Sequence, residues 1–176
     1  MKHLVLPFLL VLLTFGEIKA ASLFDKLDVL TETRHLSQAT YLDEKGDKRQ
    51  LQDFAGEILF VNFWATWCPP CVKELPSFAR LQKRLAGKPV RVIAISEDFG
   101  GIEIPAKFLR DREIEGLTLL LDNQGGGFRS IGGRGLPTTL VVNKKSREVA
   151  RLVGDLEWDS DEVVTFVESL LQKDAN

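Results

Sequence analysis

A buried strand that runs into a pair of cysteines constrains this chain more than any other feature. Residues 57–65 are apolar and rich in strand-forming side chains, which predicts a strand buried on both faces of a sheet. From Cys68 to Gly87 the apolar residues change to helical spacing. Cys68 is therefore predicted to lie where a strand gives way to a helix. Cys71, the second of the two cysteines, lies one helical turn further on.

Strands and helices alternate through the rest of the chain and predict one α/β domain. In chain order, the patterns predict a hairpin (40–51), a strand (90–98), a helix (105–112), a third strand (117–122), a short helical turn (128–131), an antiparallel hairpin (138–154) and an amphipathic helix (160–173). This order favours a central mixed sheet flanked by helices on both faces. The length of 176 residues, with 44% hydrophobic side chains, suits a single domain with a normal core.

The first 20 residues have the pattern of a secretory signal. A basic start at Lys2 and His3 precedes an apolar run over residues 4–15, which is short for a membrane span of about 20 residues. We expect cleavage after Ala20 or one residue later, with an uncleaved membrane anchor as the alternative. The mature protein would then reside in the periplasm or on the exported side of a bacterial membrane, where cysteine pairs form disulfides.

Residues 21–39 precede the predicted domain, which we place at residues 40–173. Apolar side chains over residues 22–36 follow helical spacing, which predicts either a short helix or a spacer in this segment. His35 belongs to the segment, so we expect it to be exposed and to precede the fold.

The position of the cysteines predicts thiol–disulfide exchange. At a helix N-terminus, free N–H groups and the helix dipole stabilise an anion, which lowers the pKa of a thiol such as that of Cys68. Cys71 faces the same side of the helix and lies within bonding distance. Cys68 is thus the candidate attacking thiol and Cys71 the candidate resolving thiol. The pair needs no cofactor beyond its own redox-active disulfide.

The residues around the cysteines bear on the direction of electron flow. Pro69 and Pro70 suit the first turn of a helix, but they remove two N–H donors to the Cys68 thiolate. The carboxylate of Glu74 disfavours further negative charge nearby. Both features predict a moderately stabilised thiolate, and hence a reducing or mid-range couple rather than a strong oxidant. Glu74 is also a candidate general base for Cys71, with a solvated first-turn acid as the alternative.

The segment NFWATWCPPCVKELPSF (62–78) resembles the active-site segment of TlpA/ResA-type thioredoxin-like proteins, which include the thioredoxins of cytochrome c maturation. The predicted hairpin, VRVIAISED (90–98) and GLPTTLVVN (135–143) match successive parts of the same pattern, so the resemblance covers about residues 40–171. It implies a thioredoxin fold with an added N-terminal hairpin and an extra central helical segment.

Proteins of this type are exported thiol–disulfide oxidoreductases and usually act as reductants. The resemblance therefore implies a reductase of disulfides in periplasmic proteins, apocytochrome c among them, supplied by a membrane electron donor of the thiol–disulfide interchange type. By position, Cys68 would be the exposed nucleophile and Cys71 the buried resolving thiol. Trp67 and Pro69 would line the groove in which a substrate docks, and the loop at residues 99–104 would help to select the partner.

Pro137 matches the proline that the family holds in the cis form beside its disulfide. Without an N–H at this position, the backbone of Leu136 would be left to pair with a substrate strand. Asn62 departs from the pattern, since thioredoxins carry a buried aspartate there, and Glu74 becomes the candidate substitute for proton transfer. The turn at residues 143–148 also lacks the glycine that is usual in the family.

Other classes of protein fit the sequence less well. A structural zinc site needs about four ligands, and the mature chain offers one cysteine pair and His35. A copper-binding chaperone of thioredoxin fold would need a longer cysteine spacing, and a peroxidase would need a lone cysteine in a polar pocket. The net charge of −2, with scattered positive charges, gives no argument for nucleic-acid binding. A disulfide-forming oxidant remains the main alternative.

Overall fold

The computed structural model of the protein describes residues 23–173, and the predicted signal sequence at residues 1–20 lies outside this range. The strands are β1 (Asp28–His35), β2 (Tyr41–Leu42), β3 (Lys48–Arg49), β4 (Ile58–Trp64), β5 (Val90–Ser96), β6 (Thr118–Leu121), β7 (Thr138–Val142) and β8 (Arg147–Val153). The α-helices are α1 (Leu23–Lys26), α2 (Pro69–Arg84), α3 (Glu103–Asp111), α4 (Gly126–Ser130) and α5 (Asp161–Lys173), and a 3-10 helix occupies Leu51–Phe54. Within this range, no helix is long and apolar enough to cross a membrane.

An eight-stranded mixed sheet forms the centre of the structure, in the order β1-β8-β7-β4-β5-β6-β2-β3. β4, β5 and β6 run parallel to one another, while β7 runs antiparallel to both β4 and β8. All seven residues of β4 are buried, and their side chains alternate between the two faces of the sheet. α2 and α5 pack on one face, and α4 and the 3-10 helix cover the other. The predicted mixed sheet flanked by helices is confirmed.

The predicted additions to this sheet are also present. β2 and β3 form a short hairpin in which Leu42 pairs with Leu121 of β6, so the hairpin extends the sheet at one edge. The central helical segment is α3, whose Leu109 is buried in the apolar core. Ser160 precedes α5 as predicted, and its hydroxyl oxygen accepts a hydrogen bond from the N–H of Val163 at 3.3 Å.

Between residues 23 and 39 the structure differs from the predicted short helix or spacer. The helix α1 ends at Lys26, and β1 follows as an edge strand that pairs antiparallel with β8. Seven of the eight residues of β1 are exposed, so the strand has no buried face and is held mainly by backbone pairing with β8. Its sequence therefore lacks the alternation of apolar and polar residues by which a strand is recognised. The sheet therefore begins at Asp28, ahead of the predicted domain start. His35 is exposed, but it lies within the sheet rather than before it.

The β7–β8 turn shows how the chain replaces the missing glycine. Ser146 adopts the left-handed conformation, with a φ of 55°, which costs about 1–2 kcal/mol for a residue with a side chain. Asn143 supports the turn, because its Oδ1 accepts hydrogen bonds from the N–H groups of Lys145 and Arg147 at 3.1 and 3.0 Å. The departure from the family pattern is thus confined to the shape of this turn.

Candidate active site

The cysteine pair lies at the junction of β4 and α2. Cys68 is the N-cap residue of α2, with φ and ψ of −101° and 101°, and its N–H donates to the carbonyl oxygen of Ala65 at 3.2 Å. The structure contains a Cys68–Cys71 disulfide whose Cα atoms are 5.3 Å apart. Pro69 and Pro70 occupy the first two helical positions, where their missing N–H groups break no intrahelical bond. The predicted strand-to-helix position of the cysteines is confirmed.

The two cysteines differ in their access to solvent. Cys68 lines a cavity of about 580 Å³ together with Trp67, Pro69 and Leu136. Cys71 is completely buried in an apolar cluster. Cys68 is itself only 5% exposed, so it is reached through the cavity rather than by projecting from the surface. An incoming sulfur can therefore approach Cys68, whereas Cys71 is shielded.

The peptide bond between Leu136 and Pro137 is cis, as the resemblance implied. Pro137 is buried directly before β7, and its carbonyl oxygen accepts a hydrogen bond from the N–H of Gly154 at 2.9 Å. Leu136 is half-buried and forms part of the cavity wall that also includes Cys68. Of the four residues predicted to line the groove, Trp67, Pro69 and Leu136 line the cavity, whereas Pro137 does not.

Three charged residues that the sequence analysis missed line the same cavity. Glu97 follows β5, Asp122 follows β6 and Arg129 belongs to α4. Burial, followed by the neighbouring Asp122, raises the pKa of Glu97 to about 8. A signal for this cluster was present in the sequence. Residues that follow parallel strands meet at the carboxyl edge of the sheet, and Cys68 follows β4 at that edge.

Glu74 is buried one helical turn beyond Cys71 and is hydrogen-bonded on both carboxyl oxygens. Its Oε1 accepts from Nδ2 of Asn62 at 2.7 Å. Its Oε2 accepts from the indole Nε1–H of Trp158 at 3.0 Å and from the N–H of Leu156 at 3.2 Å. Only 2% of the residue is exposed, so the alternative of a solvated first-turn acid is wrong.

The surroundings of Glu74 make it titrate near neutral pH. Burial raises the pKa of Glu74 to about 7, against the opposing effect of its three hydrogen-bond donors. Asn62 cannot exchange a proton, but it is fully buried in β4 and its Nδ2 also donates to Oγ1 of Thr139 at 3.1 Å. Asn62 therefore holds the Glu74 carboxyl in place from the centre of the sheet.

The titration of Glu74 predicts how stability depends on pH. Its ordinary pKa is 4.5, so the raised folded value favours the protonated form in the folded state. The contribution of Glu74 is fully present below pH 4.5 and is lost as the pH rises through about 7. We expect the free energy of unfolding of the disulfide-intact protein to fall by about 3 kcal/mol for this reason across that window. Urea unfolding at several pH values measures the slope, and parallel slopes for wild type and Glu74→Gln would contradict it.

Comparison with known proteins places the chain in a family. Residues 33–150 match the model of the AhpC/TSA family. The thiol-disulfide oxidoreductase ResA of Bacillus thuringiensis subsp. konkukian (strain 97-27) is 31% identical over 113 residues, which cover 64% of each protein. ResA of Bacillus subtilis (strain 168) is 28% identical over 114 residues, or 65% of this chain and 63% of that relative. The chain thus matches slightly less than two thirds of the length of these curated relatives.

Solved structures share the architecture. A secreted thiol-disulfide isomerase from Corynebacterium glutamicum has a TM-score of 0.68 at 22% identity, over 84% of this chain and 90% of that chain. The thioredoxin domain of a thiol-disulfide oxidoreductase from Bacteroides vulgatus has a TM-score of 0.65 at 23% identity, over 80% and 98% of the two chains. These likenesses confirm the predicted thioredoxin fold. Since the family model covers residues 33–150 and the curated relatives are of the ResA type, the chain belongs to the AhpC/TSA family of thioredoxin-fold proteins.

Proposed function

We propose that the protein is an exported thiol–disulfide oxidoreductase that reduces disulfides in client proteins through Cys68 and Cys71. One observation carries the proposal. Cys68, the N-cap residue of α2, lines an open cavity, while Cys71 is buried one turn from the titratable Glu74. The site thus supplies an accessible sulfur, a protected sulfur and a proton acceptor. The ResA relatives, which are named thiol-disulfide oxidoreductases, support this function.

The reaction consists of two thiol–disulfide exchanges. The Cys68 thiolate attacks one sulfur of a client disulfide, which forms a mixed disulfide and releases the other client sulfur as a thiolate. The Cys71 thiolate then attacks the Cys68 sulfur, which forms the Cys68–Cys71 disulfide and releases the second client sulfur. Two electrons pass to the client, whose thiolates take up two protons, and the protein is left oxidised. No cofactor beyond this disulfide takes part.

Glu74 acts in the second exchange as the acceptor of the Cys71 thiol proton. The two residues are three positions apart on α2, which places their side chains on the same face of the helix. The apolar surroundings of Cys71 disfavour its thiolate unless a nearby base takes the proton. Because burial raises its pKa to about 7, Glu74 is ionised in a substantial fraction of molecules near neutral pH.

Client proteins dock as extended segments along the cavity. Pro137 has no N–H, and the backbone of Leu136 beside it is the edge with which a client strand pairs. Trp67 and Pro69, which share the cavity wall with Cys68, flank the bound segment. Pairing of this kind depends on backbone groups, so it accepts clients of different sequence.

Electrons flow from the protein to its clients. Pro69 and Pro70 withhold two N–H donors from Cys68, and ionised Glu74 opposes a second negative charge nearby, so the thiolate is only moderately stabilised. Re-reduction of the disulfide requires a dithiol electron donor in the membrane, of the thiol–disulfide interchange type. The periplasm is the compartment in which such a donor meets disulfide-bonded clients such as apocytochrome c.

The thiol state in living cells tests the direction. We expect acid quenching followed by alkylation to find Cys68 and Cys71 mostly reduced, because a reductase awaits its oxidised clients in the dithiol form. The double serine variant, which cannot be alkylated, is the size control. A mostly oxidised pair would indicate a disulfide-forming oxidant and would overturn the proposed direction.

Trapping tests the roles of the two cysteines. We expect Cys71→Ser to accumulate mixed disulfides with client proteins, because Cys68 attacks and no second thiol resolves the product. Non-reducing gels followed by mass spectrometry identify the adducts. Cys68→Ser is the matched control and should form none, since Cys71 is buried. Adducts on Cys68→Ser alone would reverse the two roles.

The role of Glu74 is tested by the rate of resolution. We expect Glu74→Gln to slow the second exchange roughly a hundredfold near neutral pH, because glutamine keeps the shape of the side chain but accepts no proton. In wild type, this rate should rise with pH through about 7 as Glu74 ionises. Rapid-quench measurements on a peptide disulfide follow the mixed disulfide directly, with the exposed Glu115→Gln as the control. Equal rates in Glu74→Gln and wild type would exclude proton transfer by Glu74.

A further inference from the structure

Two large aromatic side chains are exposed at the cavity that Cys68 lines. Trp67 is 61% exposed and Phe99 is 79% exposed, and both contribute to the cavity wall. Exposed apolar surface beside a binding cavity typically marks a place where a partner is bound. Trp67 and Phe99, called the aromatic walls below, belong to different segments, since Trp67 follows β4 and Phe99 follows β5.

Asp98 connects these two segments. It immediately precedes Phe99, and its carboxylate accepts hydrogen bonds from Thr66, the residue before Trp67. Oγ1 of Thr66 donates to Oδ1 of Asp98 at 2.6 Å, and the Thr66 N–H lies 3.2 and 3.1 Å from the two carboxylate oxygens. Hydrogen bonds to an ionised acceptor are shorter and stronger than those to a neutral one. The hydrogen bonds between Thr66 and Asp98 therefore join the two residues that immediately precede the aromatic walls, Trp67 and Phe99.

The sheet fixes Asp98 in turn. Oγ of Ser96, the last residue of β5, donates to Oδ2 of Asp98 at 2.8 Å and accepts from its N–H at 3.0 Å. Asp98 is only 3% exposed, so these bonds are shielded from competing water. Gly100 and Gly101 follow Phe99 and have no side chains with which to brace it. Phe99 is therefore held in place through Asp98, the residue that precedes it and is hydrogen-bonded to Ser96 of β5.

We propose that Asp98 is a positioning residue that sets the spacing of the aromatic walls, and that the walls select client segments with an apolar side chain next to the reactive cysteine. This inference rests on the proposed reductase function. An apolar client side chain between Trp67 and Phe99 removes their exposed surface from water and holds the client disulfide beside Cys68. A small disulfide has no such side chain, so its reaction depends on Cys68 and not on the walls.

A purely structural role for Asp98 leads to a different outcome. A carboxylate that only stabilised the fold would, when removed, lower the amount of active protein and slow the reaction with every disulfide alike. A positioning role instead changes the KM for one class of substrate. The ratio of rates for two substrates therefore separates the roles, because it does not depend on the fraction of active protein.

The experiment compares wild type with Asp98→Asn on two substrates, with dithiothreitol as the recycling reductant. One substrate is a peptide disulfide with leucine next to the cysteine, and the other is glutathione disulfide. We expect kcat/KM for the leucine peptide to fall about tenfold in Asp98→Asn, chiefly through KM, while the rate with glutathione disulfide changes less than about twofold.

Two further variants control the result. Thr66→Val keeps the carboxylate of Asp98 but removes the 2.6 Å hydrogen bond to it. We therefore expect a smaller loss of kcat/KM that is again confined to the leucine peptide. Asp43→Asn is the matched control, because Asp43 also accepts backbone hydrogen bonds, from Lys45 and Asp47, but in the β2–β3 hairpin. We expect Asp43→Asn to leave the ratio of the two rates unchanged.

Each other outcome is decisive. Equal losses with both disulfides, or unchanged kinetics with the leucine peptide, would overturn the positioning role of Asp98. If Asp98→Asn does not fold, Thr66→Val and Phe99→Ala decide the question by the same ratio. A wild-type protein that reduces neither disulfide would overturn the proposed function itself, and the positioning role with it.

Discussion

The complete burial of β4 is the constraint on which the rest of the structure depends. β5 pairs with one edge of β4 and β7 with the other, so its backbone groups are satisfied while both of its faces are removed from water. Each large apolar side chain buried in this way contributes about 1.5–3 kcal/mol. A slip of one residue would turn every side chain to the opposite face and would carry Asn62 away from Glu74. The register is therefore fixed, and so is the position of Cys68 at the N-cap of α2.

Packing, rather than surface charge, determines the chemistry of Glu74. Ion pairs such as Lys73–Asp155 join α2 to the segment after β8, but both partners are exposed, so the solvent screens their attraction. Trp158 in the same segment is fully buried, and burial of even a smaller apolar side chain contributes about 1.5–3 kcal/mol. The segment is thus held mainly by its apolar side chain. It keeps water away from Glu74, and the pKa of the carboxyl rises as a result.

The cysteine pair with Glu74 and most of the cavity wall come from different parts of the chain. The cysteines and Glu74 belong to the first turns of α2, a long helix packed against the sheet. Most of the remaining wall comes from segments that follow β5 and β6 or precede β7. Connecting segments tolerate change without loss of the core. In the function we propose, the exchange reaction can therefore stay the same while the aromatic walls, positioned by Asp98, select the clients.

The sequence by itself determined the features whose signals are local. The apolar run of β4, the helical period of α5 and the spacing of the cysteines each involve neighbouring residues, so the fold and the redox pair could be predicted. β1 could not be predicted, because its exposed side chains show no alternation of buried and exposed positions and its partner β8 is distant in the chain. Only the tertiary structure decided that Glu74 is buried and that Asp98 holds Thr66. Both depend on groups that come together only when the sheet has assembled.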